Sequence, residues 1–207
     1  MLRERHVIDT FKGVTALFVL ATMAVTGRLT SLTCWIYLAI HGTYGVLWML
    51  KSRIFGDKTW EKRCTPGRFV MLVGGLSAYW AAPVLLALSY REAPPALLAL
   101  AVSLFGFGVF LHFASDMQKH MWLELKKGHL LQTGLWSRTH NPNYLGELCI
   151  YLSFAMLSLH WLPFVFFGSV IAVEWIPNML RKEKSLSRYA AFGPYRMRSG
   201  LLFPKLF

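Results

Sequence analysis

The sequence predicts an all-α integral membrane protein: one multi-pass domain over residues 1–207, built as a bundle of about six transmembrane helices. Three observations predict it. Hydrophobic residues make up 55% of the chain and charged residues 15%, too apolar a balance for an ordinary soluble domain. The apolar residues come in blocks bounded by charges, several of them near the roughly 20 residues that a helix needs to cross hydrocarbon. The basic residues fall at alternate ends of those blocks, as the positive-inside rule requires.

The blocks run in order as follows. Fifteen uncharged residues separate Lys12 from Arg28, a short span. Twenty-two separate Arg28 from Lys51, and another twenty-two separate Arg68 from Arg91. Glu92 and Asp116 bracket twenty-three. Leu148–His160 and Leu162–Val173 are two apolar halves broken at His160-Trp161-Leu162-Pro163, which reads as a tight helical hairpin. If that hairpin does not fully cross, the count falls to five.

With both termini in the cytosol, the cytosolic segments are 1–12, 51–68, 115–142 and 174–207. They hold three, six, four and seven Lys or Arg, twenty of the twenty-two, leaving only Arg28 and Arg91 on the far side. The net charge of +12 then follows from insertion and anionic headgroups. Charge divided among membrane loops argues against a nucleic-acid partner. The membrane is the endoplasmic reticulum if the source is eukaryotic and the inner membrane if it is bacterial. A cleaved signal peptide is an alternative for the first block, given its basic start and Ala21-Thr22-Met23-Ala24. Cys34, Cys64 and Cys149 show no CxxC or Cys/His spacing, and the seven histidines are scattered, so neither a disulfide framework nor a metal site is expected.

Polar residues inside the apolar blocks carry the functional signal, because lipid offers them no partners. In the second block His41, Tyr44 and Trp48 share a helical face. They suit a hydrogen-bond donor pair for a substrate oxygen, or an interfacial aromatic belt with one satisfied histidine. The fourth block ends in His112, Ser115, Asp116, Gln118 and Lys119, where Asp116 lies four residues from both His112 and His120. Such a carboxylate can grip a ribose or an amide, or simply form a helix-end ion pair.

The densest polar run is Gly134-Leu135-Trp136-Ser137-Arg138-Thr139-His140-Asn141-Pro142-Asn143-Tyr144-Leu145-Gly146-Glu147. Pro142 can open a helix, since its missing N–H costs nothing in the first turn, and Asn141 is placed to cap it. Asn143, Glu147 and Tyr151 then form a stripe at i, i+4, i+8, and Glu147 is costly unless paired or hydrated. Lys126, Lys127, Arg138, Arg181, Lys182, Arg196 and Arg198 fall on one membrane face, enough charge for phosphates, and Trp136 could stack on a base. No GxGxxG or P-loop is present. In the tail, residues 181–189 favour helix and Phe192-Gly193-Pro194-Tyr195 breaks it, while Leu201-Leu202-Phe203-Pro204 is apolar enough to dock on the body or lie in the interface.

Ser115-Asp116-x-Gln118-Lys119, Gly134-Leu135-Trp136 and Pro142-Asn143-Tyr144-x-Gly146-Glu147 together resemble the C-terminal domain of the steroid 5-alpha-reductase family, nearest its microbial-type relatives. The tail Glu183-x-x-Leu186-x-x-Tyr189-x-x-Phe192-Gly193-x-Tyr195 is similar both to these and to isoprenylcysteine carboxyl methyltransferases, which share the membrane fold. The resemblance covers about residues 110–207. It implies NADPH-dependent reduction of a carbon–carbon double bond conjugated to a ketone in a sterol-like or polyprenyl lipid, at a cytosolic-facing C-terminal cofactor site. It places Asp116 and Asn143 on the cofactor, with Glu147 closing the run and Tyr144, Gly146 and Tyr189 as weaker transfers. Relatives often read Arg-His-Pro-Asn-Tyr where this chain has His140-Asn141-Pro142-Asn143-Tyr144, so a fixed positive charge is missing unless Arg138 replaces it.

The expected catalytic residues are therefore Tyr44, His41 and Glu147. The expected cofactor-binding residues are Asp116, His112, Lys126, Trp136, Arg138, His140, Asn143, Tyr144, Glu183 and Tyr189. Tyr44, with His41, would donate to the substrate carbonyl and stabilise the developing enolate. The alternatives are an S-adenosylmethionine-dependent methyltransferase of a lipid or prenylated thiol, and a non-catalytic lipid-binding protein. The sequence leaves the oligomeric state open.

Overall fold

The computed structural model describes residues 2–205. It is all-α: the described residues hold nine α-helices, three short 3-10 or π-helical turns and only two isolated β-bridges. The α-helices are α1 (Glu4–Val25), α2 (Leu32–Phe55), α3 (Pro66–Tyr79), α4 (Ala81–Ser89), α5 (Pro95–Leu125), α6 (Pro142–Leu157), α7 (Leu162–Val170), α8 (Ile176–Leu186) and α9 (Phe192–Arg198). Four stretches among them are long and apolar enough to cross a membrane: Glu4–Val25, Pro66–Ser89, Pro95–Leu125 and Leu162–Leu186. That is fewer than six. At 24 residues α2 is long enough, but His41 and its tyrosines dilute its hydropathy, and α6 has only 16 residues.

Three boundaries differ from the sequence reading. The third block is two helices, broken at Trp80, whose indole donates to Thr15 Oγ1 (3.1 Å) and stacks on Phe11 and Phe18. α5 runs on past Asp116 to Leu125, because Met121-Trp122-Leu123-Glu124-Leu125 are adequate helix formers. Phe192-Gly193-Pro194 opens α9 instead of ending a helix, since first-turn N–H groups have no intrahelical acceptor to lose. The expected break after α6 is present, with Leu159 in the left-handed region (φ 53°). Beyond it α7 does not stop at Val173: a π-helical turn, Ile171–Trp175, carries it into α8.

The chain divides into two compact units. The first comprises residues up to Ser103 with Leu152–Phe166, and the second Leu104–Tyr151 with the residues from Phe167 onward. In the first, α1 and α2 cross on small residues. A Cβ on Gly45 would stand 2.3 Å from the Lys12 carbonyl oxygen, and one on Gly42 3.1 Å from Ala16 Cβ. Backbones this close are the usual product of small-residue stripes in membrane helices. Charge pairs close both ends of this unit. Arg3 and Arg5 share Glu61, and Arg68 holds Glu4 (3.2 Å). At the other end Arg28 meets Glu92 (2.9 Å), which also accepts from the Thr33 N–H and hydroxyl.

In the second unit α5 and α6 cross on a reciprocal pair of glycines. A Cβ on Gly146 would lie 2.4 Å from the His112 nitrogen, and one on Gly108 2.7 Å from the Gly146 oxygen. The segment after α9 then straps back along residues 138–141. His140 N donates to Gly200 O, Gly200 N and Lys205 N donate to Arg138 O, and the Thr139 hydroxyl donates to Leu202 O.

Candidate functional site

Polar groups gather in two clusters, one in each unit. In the first, the Gly45 contact brings Lys12 of α1 against the face of α2 that carries His41, Tyr44 and Trp48. Lys12 is buried; its ammonium donates to the Tyr44 hydroxyl (3.3 Å) and lies over the rings of Tyr44 (4.4 Å), Trp48 (4.3 Å) and Tyr79 (5.0 Å). Trp48 is fixed in turn by its indole N–H on Asp9 (3.0 Å), which also accepts from Ser52 (2.7 Å).

His41 has no exposed surface. Phe154 stacks on its ring at 4.2 Å, and Tyr79 meets it edge-on at 4.3 Å. Its Nδ1 lies 2.9 Å from the equally buried Tyr37 hydroxyl, while Nε2 has no partner among the described residues. Hydrogen accounting decides the tautomer. If Tyr37 donates to Nδ1, one buried atom stays unpaired, the Nε2–H donor. The reverse arrangement leaves two, the Tyr37 hydroxyl proton and the Nε2 lone pair. The first is favoured, so this aromatic-walled position presents a donor lacking an acceptor.

The second cluster is built on the Gly108–Gly146 crossing and the strap. The crossing sets His112 Nδ1 3.2 Å from the Asn143 carbonyl oxygen and its Nε2 3.9 Å from Asp116. Asn143 Oδ1 is buried without a partner among the described residues. Gln118 pins the left-handed Gly134 turn, donating to Thr133 O and accepting from Leu135 N. The indole of Trp136 donates to Ser115 O (3.1 Å).

Behind them His140 and Asn141 form a hub. His140 Nδ1 meets Glu183 at 2.6 Å, and Nε2 meets Ser199 Oγ at 2.7 Å. Asn141 donates to Leu201 O (2.8 Å), and its Oδ1 accepts from Lys182, which also donates to His140 O. Tyr195 donates to the Thr139 carbonyl (3.1 Å). Burial lowers the His140 pKa against the pull of Glu183, and burial raises that of Tyr195 with the Glu183 carboxylate adding to it. The order Ser199–His140–Glu183 is that of a nucleophilic triad. Here Ser199 is buried and its single proton is shared with the Tyr195 carbonyl, so its role is to hold the strap.

The expected site residues thus fall into three groups. His41, Tyr44, His112, Asp116 and Asn143 lie in the clusters with atoms directed at other polar groups or left unpaired, and Glu147 follows Asn143 by one turn, half-buried. Trp136, His140 and Glu183 are spent on structure: Trp136 is 3% exposed with Lys182 over its ring at 4.2 Å, which leaves a base little surface to stack on. Tyr189 packs on the Leu130–Phe192–Tyr195 cluster, and Tyr144 packs on Trp175 (5.0 Å). Lys126 and Arg138 are exposed and remain the accessible cations. The side chain of Asn141 does not cap α6, because the strap and Lys182 engage it, although its carbonyl accepts the first helical bond, from Leu145 N. Sequence reasoning missed Lys12, Tyr37, Phe154, Lys182 as a structural cation, and Ser199. Tyr37 was findable, four residues before His41 on the same face.

A family model described as "Protein of unknown function (DUF1295)" matches residues 2–181. The chain belongs to the DUF1295 family. The match begins with the first helix, far upstream of the residue-110 limit to which the sequence resemblance extended. Lys12, His41, Tyr44 and Asn143 all lie inside the DUF1295 region, whereas Lys182, Glu183 and Ser199 follow it. No curated protein matches the chain.

Proposed function

We propose that this DUF1295 protein is a membrane-embedded, NADPH-dependent reductase of a conjugated carbon–carbon double bond in a sterol-like or polyprenyl lipid. The observation that carries the reading is the buried, unpaired Nε2–H of His41 between aromatic rings. A buried donor without an acceptor costs about 1–3 kcal/mol, a cost recovered when an apolar ligand supplies an oxygen. A ketone oxygen in that position would accept from His41 and, beside it, from the Tyr44 hydroxyl that Lys12 contacts. Electron withdrawal by these donors makes the far carbon of the double bond electrophilic and stabilises the enolate oxygen. The proton that completes the reduction would come from Tyr44 or water.

The second cluster fits the cofactor by its donor set. Asn143 Oδ1 lacks a donor that a carboxamide or a ribose hydroxyl supplies, Asp116 beside His112 adds a carboxylate, and exposed Arg138 and Lys126 suit phosphates. NADPH, when bound, supplies the hydride. The site would face the cytosol, with both termini on that side.

The test is the melting temperature of the purified protein with NADPH, NADH and S-adenosylmethionine, since a ligand of the folded state must raise it. The reading expects an NADPH shift that Asn143→Ala abolishes, followed by turnover of an enone lipid that His41→Phe abolishes. A shift with S-adenosylmethionine alone would replace the reductase with a methyltransferase. No shift with any of the three would leave a lipid-binding protein.

A further inference from the structure

The N-terminal segment and the loop between α2 and α3 are joined as a short antiparallel contact. Arg3 bridges Arg63, Cys64 N donates to Leu2 O (3.0 Å), and Glu4 N donates to Lys62 O (3.1 Å). Beneath it an open groove of about 550 Å³ is lined by Leu2, Arg63, Cys64, Thr65, Pro66, Phe69 and Val70. Its lining is almost wholly apolar, with Arg63 the one charged residue. It lies at the beginning of Pro66–Ser89, a stretch long and apolar enough to cross a membrane.

The charge around the groove is unbalanced. Residues 2–5 and 57–68 hold six cations (Arg3, Arg5, Lys58, Lys62, Arg63, Arg68) against three carboxylates (Glu4, Asp57, Glu61). Glu61 is taken by Arg3 and Arg5, and Glu4 by Arg68. Lys62 and Arg63 are exposed and have no ion-pair partner among the described residues. An apolar channel at a membrane edge with an uncompensated guanidinium on its wall is complementary to an anionic amphiphile.

We propose that this groove holds one anionic glycerophospholipid of the surrounding bilayer, its phosphate on Arg63 and an acyl chain along Leu2, Pro66, Phe69 and Val70. The positive field of Lys62 and its neighbours adds to selection against zwitterionic lipids. The site is independent of the reductase reading, since it uses none of the residues of either polar cluster. Arg63 is the discriminating residue because it is the one charged residue lining the groove, whereas Lys62, also without an ion pair, does not line it.

Cys64 supplies a reporter on the groove wall, since Cys34 and Cys149 are buried. In neutral maltoside micelles doped with a few per cent of phosphatidylglycerol or phosphatidylcholine, alkylation of Cys64 by N-ethylmaleimide would be followed by mass. Native mass spectrometry would count the lipids retained. Phosphatidylglycerol should protect Cys64 and be retained at roughly one per chain, whereas phosphatidylcholine should do neither. Arg63→Gln should weaken retention about fivefold, as expected for one lost cation near anionic lipid. Lys62→Gln should weaken it less, and 0.5 M salt should weaken it in the native chain. Equal protection by the two lipids, or undiminished retention in Arg63→Gln, would overturn the proposal. Circular dichroism of each variant separates loss of the lipid from loss of the fold.

Discussion

The two polar clusters use their hydrogen-bonding groups in opposite ways. In the second unit nearly every polar side chain near Trp136–Asn141 ends on a backbone carbonyl or on another member of the hub. In the first cluster the polar groups are few and face aromatic rings, and His41 Nε2 has no partner among the described residues. The densest polar run in the sequence is thus largely paired within the protein, and the sparse histidine in an apolar helix is the group whose hydrogen bonding is left incomplete. What distinguishes them is not polarity but whether the protein satisfies it.

The largest effects should come where the two regions agree. Both clusters rest on helix crossings at which a glycine Cβ would collide with backbone rather than with a movable side chain. Gly45→Ala and Gly146→Ala should each cost more than about 3 kcal/mol and sharply lower the melting temperature. Gly74→Ala and Gly106→Ala, whose Cβ positions are open, should not. If Gly146→Ala were tolerated, the crossing would not set the position of His112.

The next effects separate the regions. Lys182→Met strands two acceptors, His140 O and Asn141 Oδ1, and should cost about 3 kcal/mol in thermal or denaturant unfolding. His41→Phe combined with Tyr37→Phe removes a buried polar pair and its unpaired donor together. Stability should change by less than about 1 kcal/mol or rise, while the proposed enone reduction should be lost. A large destabilisation in that double variant would make His41 structural and erase the contrast.

The smallest effect is a pH dependence. Burial lowers His140 below the roughly 6.5 at which it titrates in the unfolded chain. Above that value its contribution is fully present. As pH falls from there toward the lower folded value, the unfolded chain binds a proton that the folded chain does not, and stability declines. Melting temperatures between pH 8 and 5.5 should fall more for the native chain than for His140→Gln.

The helices were legible because apolar blocks bounded by charge leave few choices. The Trp80 break was not, since it depends on Thr15, Phe11 and Phe18, sixty or more residues away. The end of α5 was not either, because hydropathy marks where lipid stops and not where a helix does. In the site, helical spacing united His41 with Tyr44. Lys12 reads in sequence only as the boundary of a span; its place beside Tyr44 follows from Gly45, a residue whose importance is the absence of a side chain. The pairing of Thr139, His140 and Asn141 was not legible for a related reason: partners of all three lie in the strap, about sixty residues later.

That separation has a consequence for how the protein is made. Ser199 is synthesised 59 residues after His140, and Leu201 is synthesised 60 after Asn141. At ~5–20 residues per second, the hub therefore exists for several seconds as an incomplete assembly on the ribosome. Throughout that interval the Asn141 amide nitrogen and the backbone of Arg138 and His140 lack their partners from the strap. Water must serve those groups until the strap arrives, which makes the synthesis of residues 199–205 the step that completes the hub.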